Sequence, residues 1–97
     1  AYQDKVSTNQ AAFLAGVVSV SARLGIDPNF LMVVMWFESR LNPQAVNRTS
    51  GATGLIQFMP ATARALGTST AALLQMNNVQ QLGWVEKYYR QFGNIAS

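Results

Sequence analysis

The acids of this chain are few enough to take one by one: Asp4, Asp27, Glu38 and Glu86. Asp4 lies near a terminus. Asp27 precedes Pro28, and Asp-Pro is a helix start in which the carboxylate caps free amides and proline takes the first helical position. Glu86 stands four residues before Arg90, the spacing of a helical ion pair that contributes about 0.2–0.5 kcal/mol. Glu38 has no such explanation. It follows the apolar run Phe30–Phe37. Leu31, seven residues earlier, has nearly the same helical azimuth, so the carboxylate extends an apolar stripe.

Two readings of Glu38 stand open. In one it marks the solvent-exposed end of a helix and pairs with Arg40 or Arg48. In the other it is held against Trp36, Phe37 and the core, its charged form is disfavoured, and its pKa rises until it can donate a proton at neutral pH. That is the chemistry needed to protonate a glycosidic oxygen.

Other chemistries are excluded by composition. The chain has no histidine and no cysteine. There can be no Ser-His or Cys-His nucleophile, no disulfide and no ordinary zinc site, and no cofactor or metal is expected. Glycoside hydrolysis commonly uses two carboxylates about 5–9.5 Å apart. Asp27 precedes Glu38 by eleven residues on one helix, roughly 16 Å at 1.5 Å per residue, so it cannot be the partner. A glycosidase built on this chain would work with one carboxyl group, the substrate supplying the nucleophile.

The segment Gly51–Ala63 fits such a site. Gly51 and Gly54 permit close ligand approach, and Gln57 offers a donor and acceptors to sugar hydroxyls or N-acetyl groups. Phe58 and Met59 are cleft wall or core. A plain glycine-rich turn is the competing interpretation.

These residues must be held by helices. Ser7 and Gln10 have capping-box spacing, and Ala11, Leu14, Val17, Val18 and Leu24 recur at helical intervals, with Phe13 and Val20 widening the stripe. Gly25 is placed to end that helix. Phe30–Phe37 predicts a central helix buried all round, which Asn42-Pro43 should stop. A polar loop over residues 42–54 follows, then one short helical turn at Leu55–Phe58. Pro60 opens a helix that Gly67 closes, Thr68-Ser69-Thr70 caps another over 71–75, and Asn77 or Asn78 caps the last, Val79–Phe92, which Gly93 closes. Gly83 inside it costs about 1 kcal/mol in propensity, which predicts close packing against a neighbour. The expected fold is all-α in one domain, 1–97, with no strand, repeat or linker.

Charge says less. Seven basic residues against four acids give +3, and they are scattered. Nucleic-acid binding, which usually shows as a basic stripe, is not expected. The longest apolar runs fall far short of the roughly 20 residues of a spanning helix, so no membrane insertion is expected either. The chain begins with Ala and shows no signal-peptide order, as for a processed product or a cut piece.

Glu38-Ser39-Arg40-Leu41-Asn42-Pro43-x-Ala45, followed by Gly51-Ala52-x-Gly54-Leu55-Ile56-Gln57-x-Met59-Pro60-x-Thr62-Ala63, resembles the signature of the soluble lytic transglycosylases. The resemblance implies a lysozyme-like helical catalytic domain of the goose type and cleavage of the β-1,4 bond between N-acetylmuramic acid and N-acetylglucosamine in peptidoglycan. It implies that Glu38 is the catalytic acid and base, that Ser39 supports it, and that Gln57 binds substrate, with Met59, Gly54 and Phe58 lining the cleft. The partner it implies is the peptidoglycan glycan strand, in the periplasm, the cell wall or a phage virion. The stretch Val79–Gly93 is similar to versions carried by bacteriophage particles, which suggests a larger polypeptide or virion assembly. The family's later Ala-Tyr-Asn block and further tyrosine do not occur, and Tyr88 and Tyr89 fall in the wrong helix for that role. The domain is therefore expected to lack its C-terminal part. The alternatives are a hydrolytic muramidase and an inactive peptidoglycan-binding module.

Overall fold

The computed structural model describes residues 2–93. A 3-10 turn at Tyr2–Lys5 precedes helices α1 (Gln10–Leu24), α2 (Pro28–Ser39), α3 (Pro60–Leu66), α4 (Thr70–Leu74) and α5 (Asn78–Gln91). The all-α expectation holds. Two isolated β-bridges, Val46 with Thr53 and Thr53 with Phe58, fold the segment between α2 and α3 back on itself.

Most helix boundaries follow the capping signals. Asp27 accepts the Asn29 N–H at 2.8 Å with Pro28 in the first turn. Gly25 ends α1 in the left-handed conformation, and the Ile26 N–H returns to the Ser21 carbonyl. Ser69 caps α4, and Asn77 forms a reciprocal capping box with Gln80. Three expectations fail locally. The Ser7–Gln10 box does not form. Asn9 takes the cap position at a left-handed φ of 52° and donates to Asn78 Oδ1, while Gln10 reaches back to the Gln3 carbonyl. Helix α2 ends at Ser39 rather than at Asn42-Pro43, because Arg40 and Leu41 turn to φ of 57° and 62°. Left-handed angles cost non-glycine residues about 1–2 kcal/mol each, and burial of Leu41 offsets part of that cost. Leu55–Phe58 is not a helical turn. Paired Thr53–Phe58 backbone bonds of 2.9 and 2.8 Å close it as a tight reversal. Gly93 closes α5 as expected, its N–H returning to the Tyr88 and Tyr89 carbonyls, although without a left-handed φ.

Helix α5 packs chiefly on α1, and α2 leaves α1 at a bend of 116° to pack on α1 and the 3-10 turn. The core takes Phe13, Val17, Val20 and Leu24 from α1, Leu31, Met32 and Met35 from α2, and Leu82 and Val85 from α5. On α1 the buried face is rotated from the expected stripe: Val18 is exposed and Phe13 is fully buried. Helix α2 is not buried all round. Phe30 and Phe37 are 44% and 69% exposed, since α1 and the 3-10 turn cover only part of its circumference. Gly83 is exposed and touches nothing. The close approach is at Gly16, where a Cβ would come within 2.7 Å of Leu82 Cδ1. Among the described residues no single helix is long and apolar enough to cross a membrane.

Candidate active site

Glu38 occupies the last turn of α2 with its side chain exposed. The C-terminal end of a helix carries the negative pole of its macrodipole, so nothing in helix stability calls for an acid there. The apolar enclosure expected from Trp36 and Phe37 is absent. Phe37 is exposed, and Trp36 lies under two cations, the Lys5 ammonium at 5.5 Å and the Arg40 guanidinium at 4.9 Å. The expected ion pair is absent too. Arg40 donates instead to the Trp36 carbonyl, and among the described residues no cation pairs with Glu38.

Its neighbour Ser39 is buried, and its hydroxyl donates to the Leu55 carbonyl at 2.8 Å, with the Met35 carbonyl at 3.1 Å as the weaker partner. A buried hydroxyl needs such partners, and this one ties the end of α2 to the glycine-rich loop. Gln57 holds that loop from within. At a left-handed φ of 58°, its Nε2 donates to the Ala45 and Gly54 carbonyls, both at 3.0 Å. These two bonds use both hydrogens of the amide, so Oε1 is the atom left for a ligand.

The other loop residues divide by depth. Gly54 is buried at φ +89°, its N–H given to the Ala45 carbonyl. A Cβ there would lie 2.6 Å from Gln81 Oε1. Phe58 is 2% exposed, part of the core rather than a cleft surface, and meets Tyr88 edge to face at 6.3 Å. Met59 is 46% exposed and available to a ligand.

Helix α5 supplies two features that the sequence did not assign to the site. The first is Tyr89, stacked edge to face on Tyr88 at 5.2 Å. Burial pushes its hydroxyl pKa above the ordinary tyrosine value, with further contributions from Tyr88 and from the charge of Glu38. The charge of Glu38 is thus felt at the Tyr89 hydroxyl. Its place on the Leu82–Val85 face was the available signal. The second is Gln81, fully buried between the loops. Its amide beside Leu82 and Val85 on the buried face of α5 was the mark to notice.

Asp27 and Glu86 serve structure. Glu86 joins α5 to α1 through Arg23 at 2.9 Å and takes Arg90 at 2.8 Å. The hydrogen bond from Arg23 leads the effects that hold its carboxyl down to about 2, against the opposing pull of burial. Among the described residues no three acids, histidines or cysteines gather as a metal would require.

Residues 18–83 match the family described as the transglycosylase SLT domain. A curated protein of Enterobacteria phage PRD1, named "Transglycosylase", is 42% identical over 53 residues, which cover 55% of this chain and 20% of that protein. The match thus spans about a fifth of the relative's length. No solved structure matches significantly.

Proposed function

The chain belongs to the transglycosylase SLT family, and on that footing we propose that it is the catalytic part of a peptidoglycan lytic transglycosylase. Its bond is the β-1,4 linkage from N-acetylmuramic acid to N-acetylglucosamine. The observation that carries this reading is the placement of Glu38: exposed at the unfavourable end of α2, with no cation partner among the described residues, beside a loop tied to that same helix end. A carboxylate serving the fold would resemble Glu86 instead.

In the mechanism, Glu38 delivers its proton to the bridging oxygen as the bond to the muramic anomeric carbon breaks. The carboxylate so formed takes the proton of the muramic C6 hydroxyl, whose oxygen bonds to that carbon. The product carries a 1,6-anhydro end, no water is consumed, and Glu38 is regenerated in its acid form. One carboxyl group suffices. Asp27 is bound to its cap and Glu86 to its arginines, so two-carboxylate hydrolysis has little support. Ser39 supports Glu38 by fixing the backbone beneath it. Gln57 presents Oε1 to a sugar hydroxyl or N-acetyl N–H, and Met59 offers an apolar wall. Gly54 and Phe58 shape the cleft from below without touching the strand. The likeness to a phage protein favours work within a larger, virion-associated polypeptide.

Turbidity loss of purified cell walls, with product masses, tests this. Glu38→Gln should lower the rate by about 10²–10⁴-fold, the usual contribution of a general acid, and leave the fold intact. Anhydro ends lack one water relative to hydrolysed ends. Hydrolysed ends would make the protein a muramidase, and a fully active Gln variant would overturn the assignment of Glu38.

A further inference from the structure

We infer that Gln81 is a positioning residue of this site, holding the glycine-rich loop against the end of α2 from the far side of the core; the inference rests on the function proposed above. Burying an amide is costly unless its groups are bonded, and Gln81 is fully buried. Its Nε2 donates to the Pro43 carbonyl at 2.6 Å and to the Leu73 carbonyl at 2.9 Å, and its Oε1 accepts the Leu55 N–H at 3.0 Å. Three segments meet on one side chain: the loop after α2, the end of α4 and the glycine-rich loop. Its buried helical neighbours are Asn78, Leu82 and Val85; Asn78 is bonded to the start of α1, whereas the bonds of Gln81 all go to the segments around the site.

The Leu55 backbone is the point of leverage. Its N–H is held by Gln81 and its carbonyl by the Ser39 hydroxyl. One residue is thus clamped, through the peptide units on either side of its Cα, between α5 and the residue next to Glu38. Gln57 follows two residues later, so the placement of its Oε1 relative to Glu38 depends on this clamp. Gly54 is part of the same device, because a side chain there would meet Gln81 Oε1 at 2.6 Å. Gln81 touches no reacting atom and acts only through Leu55.

The test is Gln81→Met in the full chain, assayed well below its melting temperature. The substitution keeps the volume and removes all three bonds. Exchange of the Leu55 amide should quicken by about tenfold or more, one factor of ten per lost 1.4 kcal/mol of protection. The kcat for cell-wall lysis should fall about 10- to 100-fold, the scale of a small misplacement, with KM little changed. A residue that only stabilises the fold would lower the melting temperature and leave kcat alone. A folded variant with unchanged kcat, or with Leu55 as protected as before, overturns the inference. If the unsubstituted chain cleaves no glycan, the proposed function fails, and Leu55 exchange then decides Gln81: faster in the variant supports the clamp, unchanged overturns it. If the variant does not fold, native-state exchange of the unsubstituted chain decides. Leu55 opening together with α5 supports the clamp, and Leu55 exchanging as freely as the exposed loop overturns it.

Discussion

Glu86 and Glu38 sit on helices that share one small core, and their surroundings are opposite. Glu86 lies where α5 crosses α1, mostly covered and held by two guanidinium groups that it bonds through both oxygens. Glu38 ends α2 in the open, beside an arginine that has turned to aromatic rings and a backbone carbonyl. The first arrangement lowers the energy of the folded state. The second leaves a charged group uncommitted, which folding alone would not select. The contrast teaches that on a chain with few acids, the absence of partners is as informative as their presence. It extends to the backbone. The α1–α5 contact is helix on helix with a single left-handed residue, Asn9, at its edge, whereas the site face gathers three, Arg40, Leu41 and Gln57. Such strain persists only where surrounding structure over-determines it.

The contrast can be broken at either end. The largest effect should be the loss of lysis in Glu38→Gln, with a melting curve that overlays the parent. A marked fall in stability instead would place Glu38 with the structural acids. The Gln81→Met variant should come next in activity, and it asks whether the site depends on α5 at all. Glu86→Gln should invert the first result. It removes both ion pairs at a cost of about 1 kcal/mol, since the arginines are half exposed and screened, and lowers the melting temperature by about 4–8 °C. Activity well below that temperature should be unchanged. An altered kcat would mean that the α1–α5 clamp also governs the site.

Acid should sharpen the same point more gently. Glu86 has its folded pKa lowered from 4.5 to about 2, so its contribution to stability is fully present above about pH 4.5 and is lost as pH falls towards 2. Denaturant melts across that window should show a steeper loss for the parent than for Glu86→Gln. Equal slopes would remove Glu86 as the source. The smallest effect should come from Gly83→Ala. With open space where the methyl would stand and a helical backbone, the change should stabilise by about 0.4–1 kcal/mol. Destabilisation would reveal a contact on that face.

Much of the fold was legible in the chain. Asp27-Pro28, Ser69, Asn77 and Gly25 are local signals, and each acts over a single turn of backbone, so reading them requires no knowledge of what lies across the core. The reading failed where a side chain was recruited from afar. Asn9 stands at the cap position of α1 in place of Ser7, without a side-chain cap bond, its amide engaged by Asn78. Helix α2 stopped early because Leu41 has a buried place to fill. The apolar run Phe30–Phe37 overstated burial, because hydropathy counts residues and cannot see how many neighbours arrive to cover them. Gly83 and Gly16 were exchanged for a similar reason: a glycine's sequence context does not say which one faces another helix.

By itself, the sequence determined the helical class, most of the caps, the family signature and Glu38 as the acid that no cap or helical ion-pair spacing explains. These follow from residue type and short spacing, which fix backbone preference and chemical capacity before any tertiary contact forms. Only the tertiary structure decided what surrounds each group. It turned Ser39 to the Leu55 carbonyl, spent the Gln57 amide on its own loop, sank Phe58 into the core, put Tyr89 in the field of Glu38 and placed Gln81 beneath the site. Hydrogen bonds and fields act through distances of a few ångströms, and between residues 26 positions apart, as Leu55 and Gln81 are, such distances exist only once the chain has folded.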